Sequence, residues 1–206
     1  MPKSRTDQTM IEAETVDSPP HMRILDTARL LFCRDGVHAT GIDAILAEAG
    51  ASKMTLYARY GSKQALLRAV LLAEAADWRQ NFFTRLDQDA ATPAAALQAI
   101  IPAIAAWFHS GQFHGCALMN TIAEHRKTEP WLRELAGDHH RAILTRLAER
   151  ATDAGYAEPP ILARQLLLLI DGTIAALMVS GDASVLDIAG RNLHAILSTA
   201  RTAHAI

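Results

Sequence analysis

The stretch from residue 40 to residue 63, TGIDAILAEAGASKMTLYARYGSK, constrains the fold more than any other part of the chain. Its first half carries apolar residues at the spacing of one helix face, namely Ile42, Ile45, Leu46 and Ala49. Gly50 can end that helix in a left-handed conformation, and Ser52 can cap a second helix over residues 53–60. Two short helices joined by a tight turn predict a helix-turn-helix, whose second helix can enter the major groove of DNA.

The charge distribution supports a DNA-binding N-terminal segment. The whole chain carries a net charge of −2, which by itself argues against a nucleic-acid binder. Residues 21–68, however, hold seven Lys/Arg against four Asp/Glu, whereas residues 69–206 hold eleven against fourteen. Because the basic segment is only weakly charged, we expect it to need a second subunit to bind DNA tightly.

Composition and periodicity predict an all-α protein of about nine helices. Half of the 206 residues are hydrophobic and only 5% are aromatic, which favours a helical core of aliphatic side chains. We predict a disordered arm over residues 1–20, a helix-turn-helix domain over 21–67, and an effector-binding and dimerisation domain over 68–206. The predicted helices cover about residues 21–35, 42–49, 53–60, 62–86, 93–109 with a kink at Pro102, 115–125, 130–154, 160–180 and 184–204.

The sequence predicts neither a membrane-spanning segment nor a secretion signal. No run of about 18 consecutive apolar residues is present, and the N-terminus lacks an apolar signal region. The two cysteines, Cys33 and Cys116, are far apart and are interpreted as reduced thiols packed near the core. We therefore expect a cytoplasmic protein that does not enter a membrane.

The last two predicted helices carry more apolar surface than one chain needs. The segment QLLLLIDGTIAALMV, residues 165–179, is apolar nearly all round. A helix that is hydrophobic on every side is expected to be buried on every side. We therefore predict a homodimer through about residues 160–204, as in a four-helix interface. The alternative is an ordinary core within one chain.

Residues 22–70 resemble the TetR family of bacterial transcriptional regulators. The resemblance is carried by ILDTARLLFCRDGVHATGIDAILAEAGASKMTLYARYGSKQALL, in which several family features occur in register. These are LF…G in the first helix, a Thr before the second, AG-x-S at the turn, T-L-Y-x-x-[FY] in the third helix, and Ser-Lys-x-x-L opening the fourth. The resemblance implies a ligand-responsive, sequence-specific regulator without enzymatic activity. By default it would be a repressor that binds a palindromic DNA operator as a homodimer.

The same resemblance assigns DNA-contacting roles within the helix-turn-helix. Thr40, Tyr57 and Lys63 correspond to positions that contact phosphate. Residues at the start of the third helix, the recognition helix, reach base edges or phosphates, and general chemistry agrees, because helix N-termini attract phosphate. The full predicted DNA-binding set is Thr40, Ser52, Lys53, Met54, Thr55, Tyr57, Arg59 and Lys63.

Two positions depart from the family pattern. Leu46 replaces a usual Ala, so the two short helices are expected to lie slightly further apart. Met54 stands where a small residue is common, at the start of the recognition helix. Its side chain can contact a thymine methyl group or alter the base preference.

The C-terminal domain of such regulators holds a small-molecule effector, and here the candidates are polar and aromatic residues that can face inward. A mostly apolar pocket with a few polar groups suits an organic ligand. The predicted ligand-binding residues are Trp107, Phe108, Phe113, Asn120, Glu124, Trp131, Gln165 and Asp171. Two alternatives stay open: Trp107 and Phe108 can be plain core residues, and Asp171 can pair across the dimer interface. No cofactor is expected.

The alternatives to a ligand-responsive regulator are a metal- or thiol-sensing regulator and an enzyme. His114 and Cys116, with His125 or the pair His139–His140, can form a metal- or thiol-sensing site, although their spacing matches no standard signature. An all-α enzyme would use Cys116 as nucleophile beside a histidine. The sequence contains no phosphate-binding loop and no dinucleotide fingerprint.

Overall fold

The computed structural model describes residues 18–88, 90–125 and 129–202, and this part of the chain consists of helices without strands. The all-α prediction is confirmed, with ten helices in place of about nine. They are α1 (Pro20–Asp35), α2 (Ile42–Ala49), α3 (Lys53–Tyr60), α4 (Lys63–Gln88), α5 (Pro93–Gln98), α6 (Ile100–Phe108), α7 (Ala117–Glu124), α8 (Pro130–Asp153), α9 (Pro159–Ser180) and α10 (Ser184–Thr202).

The chain divides into two compact units, Met1–Glu74 and Ala75–Ile206. The division falls within α4, about two helical turns after the domain boundary expected at residue 68. No turn residue interrupts α4 there, so composition alone does not mark the boundary. The predicted N-terminal arm lies outside the described residues up to residue 17, and its last residue, Pro20, begins α1.

The N-terminal unit packs α1, α2, α3 and the first half of α4 around one apolar core. Each helix contributes at least one large side chain that is completely buried: Ile24, Ile45, Leu56 and Leu66. Burying an aliphatic side chain of this size stabilises a fold by about 1.5–3 kcal/mol. On the eight-residue α3, Leu56 is the only buried side chain. Leu56 therefore anchors the short helix in the core, whereas Lys53, Met54, Tyr57 and Arg59 are exposed to solvent.

The C-terminal unit is built around α9, which packs against α6, α8 and α10. Its core contains fully buried side chains from α4, α5, α6, α8 and α9, including Phe83, Leu97, Ile100, Leu147, Leu166 and Ile170. The C-terminal unit thus has a hydrophobic core of its own, as expected for an independent domain.

The prediction of a single kinked helix over residues 93–109 is wrong, because two helices occupy this range. They meet at Ala99, three residues before Pro102. The proline has no N–H to donate to Gln98, four residues earlier, and its ring would clash with that carbonyl group. The helix therefore ends at Gln98, and Pro102 lies in the first turn of α6, where a backbone N–H has no partner within the helix.

The all-round burial predicted for α9 is not achieved within one chain. The exposed fractions of Leu168 and Val179 are 76% and 84%. By length and composition α9 could cross a membrane, and 44% of its most apolar window is buried inside the fold. Core helices of soluble proteins can have the same length and apolar composition. One face of α9 packs in the C-terminal core and the opposite face leaves apolar side chains uncovered.

Candidate nucleic-acid interface and effector region

The turn between α2 and α3 has the geometry predicted from the sequence. Gly50 is left-handed, with φ 55° and ψ 43°, and its N–H donates to the carbonyl of Leu46. The Ser52 hydroxyl caps α3 by accepting from the N–H of Thr55 at 3.1 Å. Both predictions are confirmed, and together they fix the direction in which α3 leaves the turn.

Arg23 on α1 also holds this turn, and sequence analysis did not identify it. Its Nε donates to the carbonyl of Ala49 and its Nη2 to the carbonyl of Gly50, each at 3.0 Å. A helix C-terminus leaves carbonyl groups without partners and attracts positive charge. The sequence predicts that α2 ends near Ala49 and needs such a partner. It does not predict that the partner is Arg23, 26 residues earlier.

The solvent-facing side of α3 presents side chains suited to a DNA groove. Met54 is 81% exposed and Tyr57 is 49% exposed, and Lys53 and Arg59 are also exposed. Thr55 is half-buried, and its hydroxyl lies 3.0 Å from that of the exposed Ser52. The predicted reading residues thus share one short helix whose opposite side is anchored by Leu56.

Two predicted DNA-contacting lysines have partners within the protein. Lys53 Nζ lies 2.8 Å from the Asp43 carboxylate on α2, and this hydrogen bond and charge raise the pKa of Lys53. Both side chains are largely exposed, and exposed ion pairs contribute little stability, so Lys53 can exchange this carboxylate for a phosphate at low cost. The Nζ atom of Lys63 donates to the carbonyl of Val37 at 2.8 Å.

Thr40 is buried and is hydrogen-bonded within the protein. Its side chain is 4% exposed, and its hydroxyl donates to the carbonyl of Gly36 at 2.7 Å. Gly41, not Thr40, is the N-cap of α2, and no side chain caps this helix. The hydroxyl therefore bonds carbonyl groups at the end of α1 and does not cap α2, and the phosphate contact of Thr40 stays a prediction. Thr40 instead joins α1 to the entrance of α2.

Tyr60 also has a structural position. Its hydroxyl donates to the carbonyl of His21 at 2.8 Å, which ties the end of α3 to the start of α1. Partial burial raises the pKa of Tyr60. The guanidinium carbon of Arg59 lies 5.8 Å from the Tyr60 ring centre, and the side chain of Arg59 is exposed at the end of α3.

Three of the predicted ligand-binding residues lie together in the C-terminal unit. Trp107 and Phe113 have ring centres 4.7 Å apart, and Phe108 and Phe113 have ring centres 5.2 Å apart. Trp78 on α4, which sequence analysis did not select, lies 6.3 Å from Trp107 and stacks on Phe82 at 4.7 Å. Trp78, Trp107, Phe108 and Phe113 are half-buried and form what we call the aromatic cluster.

A series of polar contacts joins α4, α8 and α9 and begins beside Trp78, at His139. His139 is 6% exposed, its ring centre is 5.6 Å from that of Trp78, and its Nδ1 lies 2.9 Å from Nη1 of Arg79. Burial, followed by the charges of Arg79 and His140, lowers the pKa of His139 to about 4. The next residue, His140, contacts the Asp171 carboxylate at 3.4 Å. Burial raises the pKa of Asp171, and the nearby His140 opposes that shift.

The other predicted ligand residues have different surroundings. The side-chain amide of Asn120 donates to the carbonyl of His114 at 2.8 Å. The indole N–H of Trp131 donates to the carboxylate of Glu129. Glu124 is exposed near the end of α7, and Gln165 is exposed on α9. Gln165 lies between Ile161 and Leu168 on the uncovered face of the helix, so a position in an enclosed pocket is not supported for it.

A separate open cavity of about 850 Å³ lies between α10 and the α5–α6 segment. None of the predicted ligand residues lines it. Its polar lining includes Gln98, Asp187, Arg191, His194 and Ser198.

Cys116 has no metal-binding cluster around it in the described parts of the chain. It is half-buried and is the N-cap residue of α7. Within residues 18–88, 90–125 and 129–202, no three His, Cys, Asp or Glu side chains are placed to hold a metal ion.

Sequence similarity to known proteins is found in the helix-turn-helix segment. Residues 24–70 match the family model described as bacterial regulatory proteins, tetR family. The transcriptional regulator UidR of Escherichia coli K12 is 35% identical over 65 residues, which cover 32% of this chain and 33% of UidR. The alignment therefore spans about a third of the length of the curated relatives.

Comparisons of the structure extend over most of the chain. A TetR-family transcriptional regulator from Streptomyces coelicolor is 26% identical with a TM-score of 0.79, covering 88% of this chain and 96% of that one. The regulator FadR from Bacillus subtilis, solved in complex with stearoyl-CoA, is 18% identical with a TM-score of 0.68, covering 86% and 98%. The latter shows likeness of fold alone.

Proposed function

Because this chain belongs to the TetR family of bacterial regulatory proteins, we propose that it is a ligand-responsive, sequence-specific DNA-binding regulator of transcription. It acts as a homodimer on a palindromic operator in the cytoplasm, and its default role is repression. The protein is proposed to bind DNA and an effector, and no catalytic activity is proposed for it.

The observation that carries the proposal is the construction of α3. A capped helix N-terminus attracts phosphate, and the exposed side chains of Lys53, Met54 and Tyr57 follow within its first two turns. Lys53 and Arg59 supply charge, Tyr57 supplies a hydroxyl for the backbone, and Met54 supplies an apolar contact for a base edge. The arrangement suits major-groove binding.

Dimerisation through α9 and α10 is supported by the uncovered apolar face of α9. Ile161, Leu168 and Val179 are all exposed on this helix, and Ile188 is exposed on the neighbouring α10. Gly172 lies on the same side of α9 as Leu168 and has open space above its Cα, which lets another helix approach closely. A second copy of the chain would cover these side chains by a symmetric helix pairing.

The effector region we propose is the aromatic cluster with the polar groups of Arg79, His139, His140 and Asp171. Half-buried rings next to a few polar groups have the composition of a small-molecule site. FadR, which shares the fold, was solved with stearoyl-CoA. A small organic effector is therefore proposed for this chain, and its binding is expected to change the affinity for DNA.

Selection from a library of random DNA duplexes tests the proposed function. Purified full-length protein should enrich one motif, and the motif should be an inverted repeat with half-sites about one helical turn apart. The variant Met54→Ala, which keeps the cap and the positive charges, should enrich a different base at one position in each half-site. Enrichment of no motif by the wild-type protein would contradict the proposal.

A further inference from the structure

Arg79 on α4 is a half-buried cation that contacts a histidine and not a carboxylate. Among the described residues, no carboxylate lies within ion-pair distance of its guanidinium group. Arg150 in the same unit, by contrast, pairs with Asp87. A partly desolvated charge without a counter-ion is unfavourable, so it attracts any anion that can reach it.

His139 cannot neutralise Arg79, but it can orient the guanidinium group. Because burial holds the pKa of His139 near 4, its ring is neutral at pH 7. Its Nδ1 then accepts a hydrogen bond from Arg79 at 2.9 Å. A guanidinium group has five N–H donors in a fixed plane, so other donors stay available for a planar anion.

A carboxylate beside this pair of histidines, Asp171, has His140 and not Arg79 as its partner. Asp171 contacts His140 at 3.4 Å. The rings of His139 and His140 lie 6.1 Å apart, and Arg79 contacts His139 whereas Asp171 contacts His140. Arg79 therefore has no ion-pair partner among the described residues of the unit.

The aromatic cluster lies next to this charge. Trp78 precedes Arg79 in the sequence and contacts both the His139 ring, at 5.6 Å, and the Trp107 ring, at 6.3 Å. Phe113 continues the contact from Trp107 at 4.7 Å. Because these rings are only half-buried, each keeps an accessible surface on which an apolar group can lie.

We infer that the effector of this regulator is an organic anion with an apolar body, a carboxylate whose charge binds Arg79 and whose body lies against Trp78, Trp107 and Phe113. The inference rests on the proposed function, since it names the ligand class of the proposed effector region. An organic cation would be repelled by Arg79, and a neutral ligand would leave that charge without a partner. A carboxylate can accept two parallel hydrogen bonds from the guanidinium plane.

The test uses three probes that share one skeleton and differ in charge: 4-phenylbutyrate, 4-phenylbutan-1-ol and 4-phenylbutylamine. Each is titrated into the full-length protein, and quenching of tryptophan fluorescence reports binding. The anion should bind about tenfold or more tightly than the alcohol, and the amine should bind most weakly. Trp131→Phe is the control that keeps the signal from the site, whereas Trp78→Phe should remove much of it.

Two substitutions of Arg79 separate charge from folding. Arg79→Gln keeps a donor for His139 but should reduce the preference for the anion over the alcohol to less than about threefold. Arg79→Lys keeps the positive charge and should retain part of the preference. Far-ultraviolet circular dichroism and the affinity for the selected operator are measured on both variants.

The outcomes distinguish the ligand class from the proposed function. Equal or tighter binding of the alcohol or the amine, an unchanged preference in Arg79→Gln, or no binding of any probe at millimolar concentration would each overturn the inference. If the wild-type protein prefers the anion yet selects no DNA motif, the regulator proposal fails while the anion site stands. If it selects DNA without an anion preference, only the ligand class is wrong.

Discussion

At the scale of single residues, Lys53 and Lys63 of the helix-turn-helix each contact an acceptor within the protein that we expect a DNA phosphate to replace. Lys63 is the clearest case, because among the described residues its Nζ bonds the backbone carbonyl of Val37 and no carboxylate. A phosphate would be a stronger partner for an ammonium group than a carbonyl oxygen. Lys63 should therefore contribute affinity without sequence preference.

Substitution of Lys63 by Ala should weaken binding to all duplexes to the same degree and lower the salt slope by about one. Fluorescence anisotropy over a range of salt concentrations, with the selected and a scrambled duplex, measures both quantities. Met54→Ala is the matched control and should change preference while leaving the salt slope unaltered. A changed preference with an unchanged slope in Lys63→Ala would show that the assigned role is wrong.

His139 should make the stability of the C-terminal unit depend on pH. Its folded-state pKa of about 4 lies below its ordinary value of 6.5. Between these values the unfolded chain binds the proton and the folded one does not, so stability falls as the pH is lowered through this window. From pH 7 to pH 5 the loss from this residue is about 2 kcal/mol.

Urea unfolding at pH 7 and pH 5 measures that loss. The variant His139→Asn should lose about 2 kcal/mol less over the same interval than the wild-type chain. The same substitution at the exposed His194 serves as control and should leave the pH dependence as it is in wild type. An identical pH dependence in His139→Asn and wild type would refute the assignment.

At the scale of helices and turns, the link between α2 and α3 depends on one left-handed residue. Gly50 has φ 55°, which a residue with a Cβ adopts at a cost of about 1–2 kcal/mol. No heavy atom lies within 4 Å of a Cβ built on Gly50, so the cost comes from the backbone and not from a clash. Gly50→Ala should thus lower the thermal midpoint of the N-terminal unit.

Gly190 provides the matched control for this substitution. It lies inside α10 and also has open space for a Cβ, but its backbone is helical. Gly190→Ala should stabilise its helix by about 0.5–1 kcal/mol, the opposite sign to Gly50→Ala. Differential scanning calorimetry on both variants gives the two signs, and equal effects would mean that the left-handed turn is not the cause.

Local features of the helix-turn-helix could be predicted from the sequence, because each is determined within a few residues. The apolar spacing around Leu46, the left-handed Gly50 and the cap at Ser52 are of this kind. The break between α5 and α6 was placed wrongly, since a proline acts four residues before its own position. Pro102 was expected to kink one helix, whereas the chain begins a new helix.

Contacts between distant residues could not be predicted from periodicity. Arg23 reaches the α2–α3 turn across 26 residues, and Arg79 reaches His139 across 60. Periodicity places each of these residues on a helix, but only the packing of helices decides which faces meet. The same limit explains why Trp107 and Phe113 were selected for the effector region and Trp78 was not.

At the scale of the whole molecule, we expect a dimer, because one chain leaves the apolar face of α9 uncovered. Leu168→Glu places a charge in the middle of that face and should convert the dimer into a monomer. Sedimentation equilibrium measures the mass. Leu30→Glu is the control, since Leu30 is 66% exposed on α1 and should not affect association. A dimeric, folded Leu168→Glu protein would place the interface elsewhere.

The central claim is that α3 reads a specific DNA sequence as part of a dimer. The most direct measurement is the ratio of dissociation constants for the scrambled and the selected duplex, determined with full-length protein at one physiological salt concentration. The account predicts a ratio of at least about a thousand, and predicts that Leu168→Glu loses most of it. Equal affinity of the wild-type protein for the two duplexes would contradict the claim.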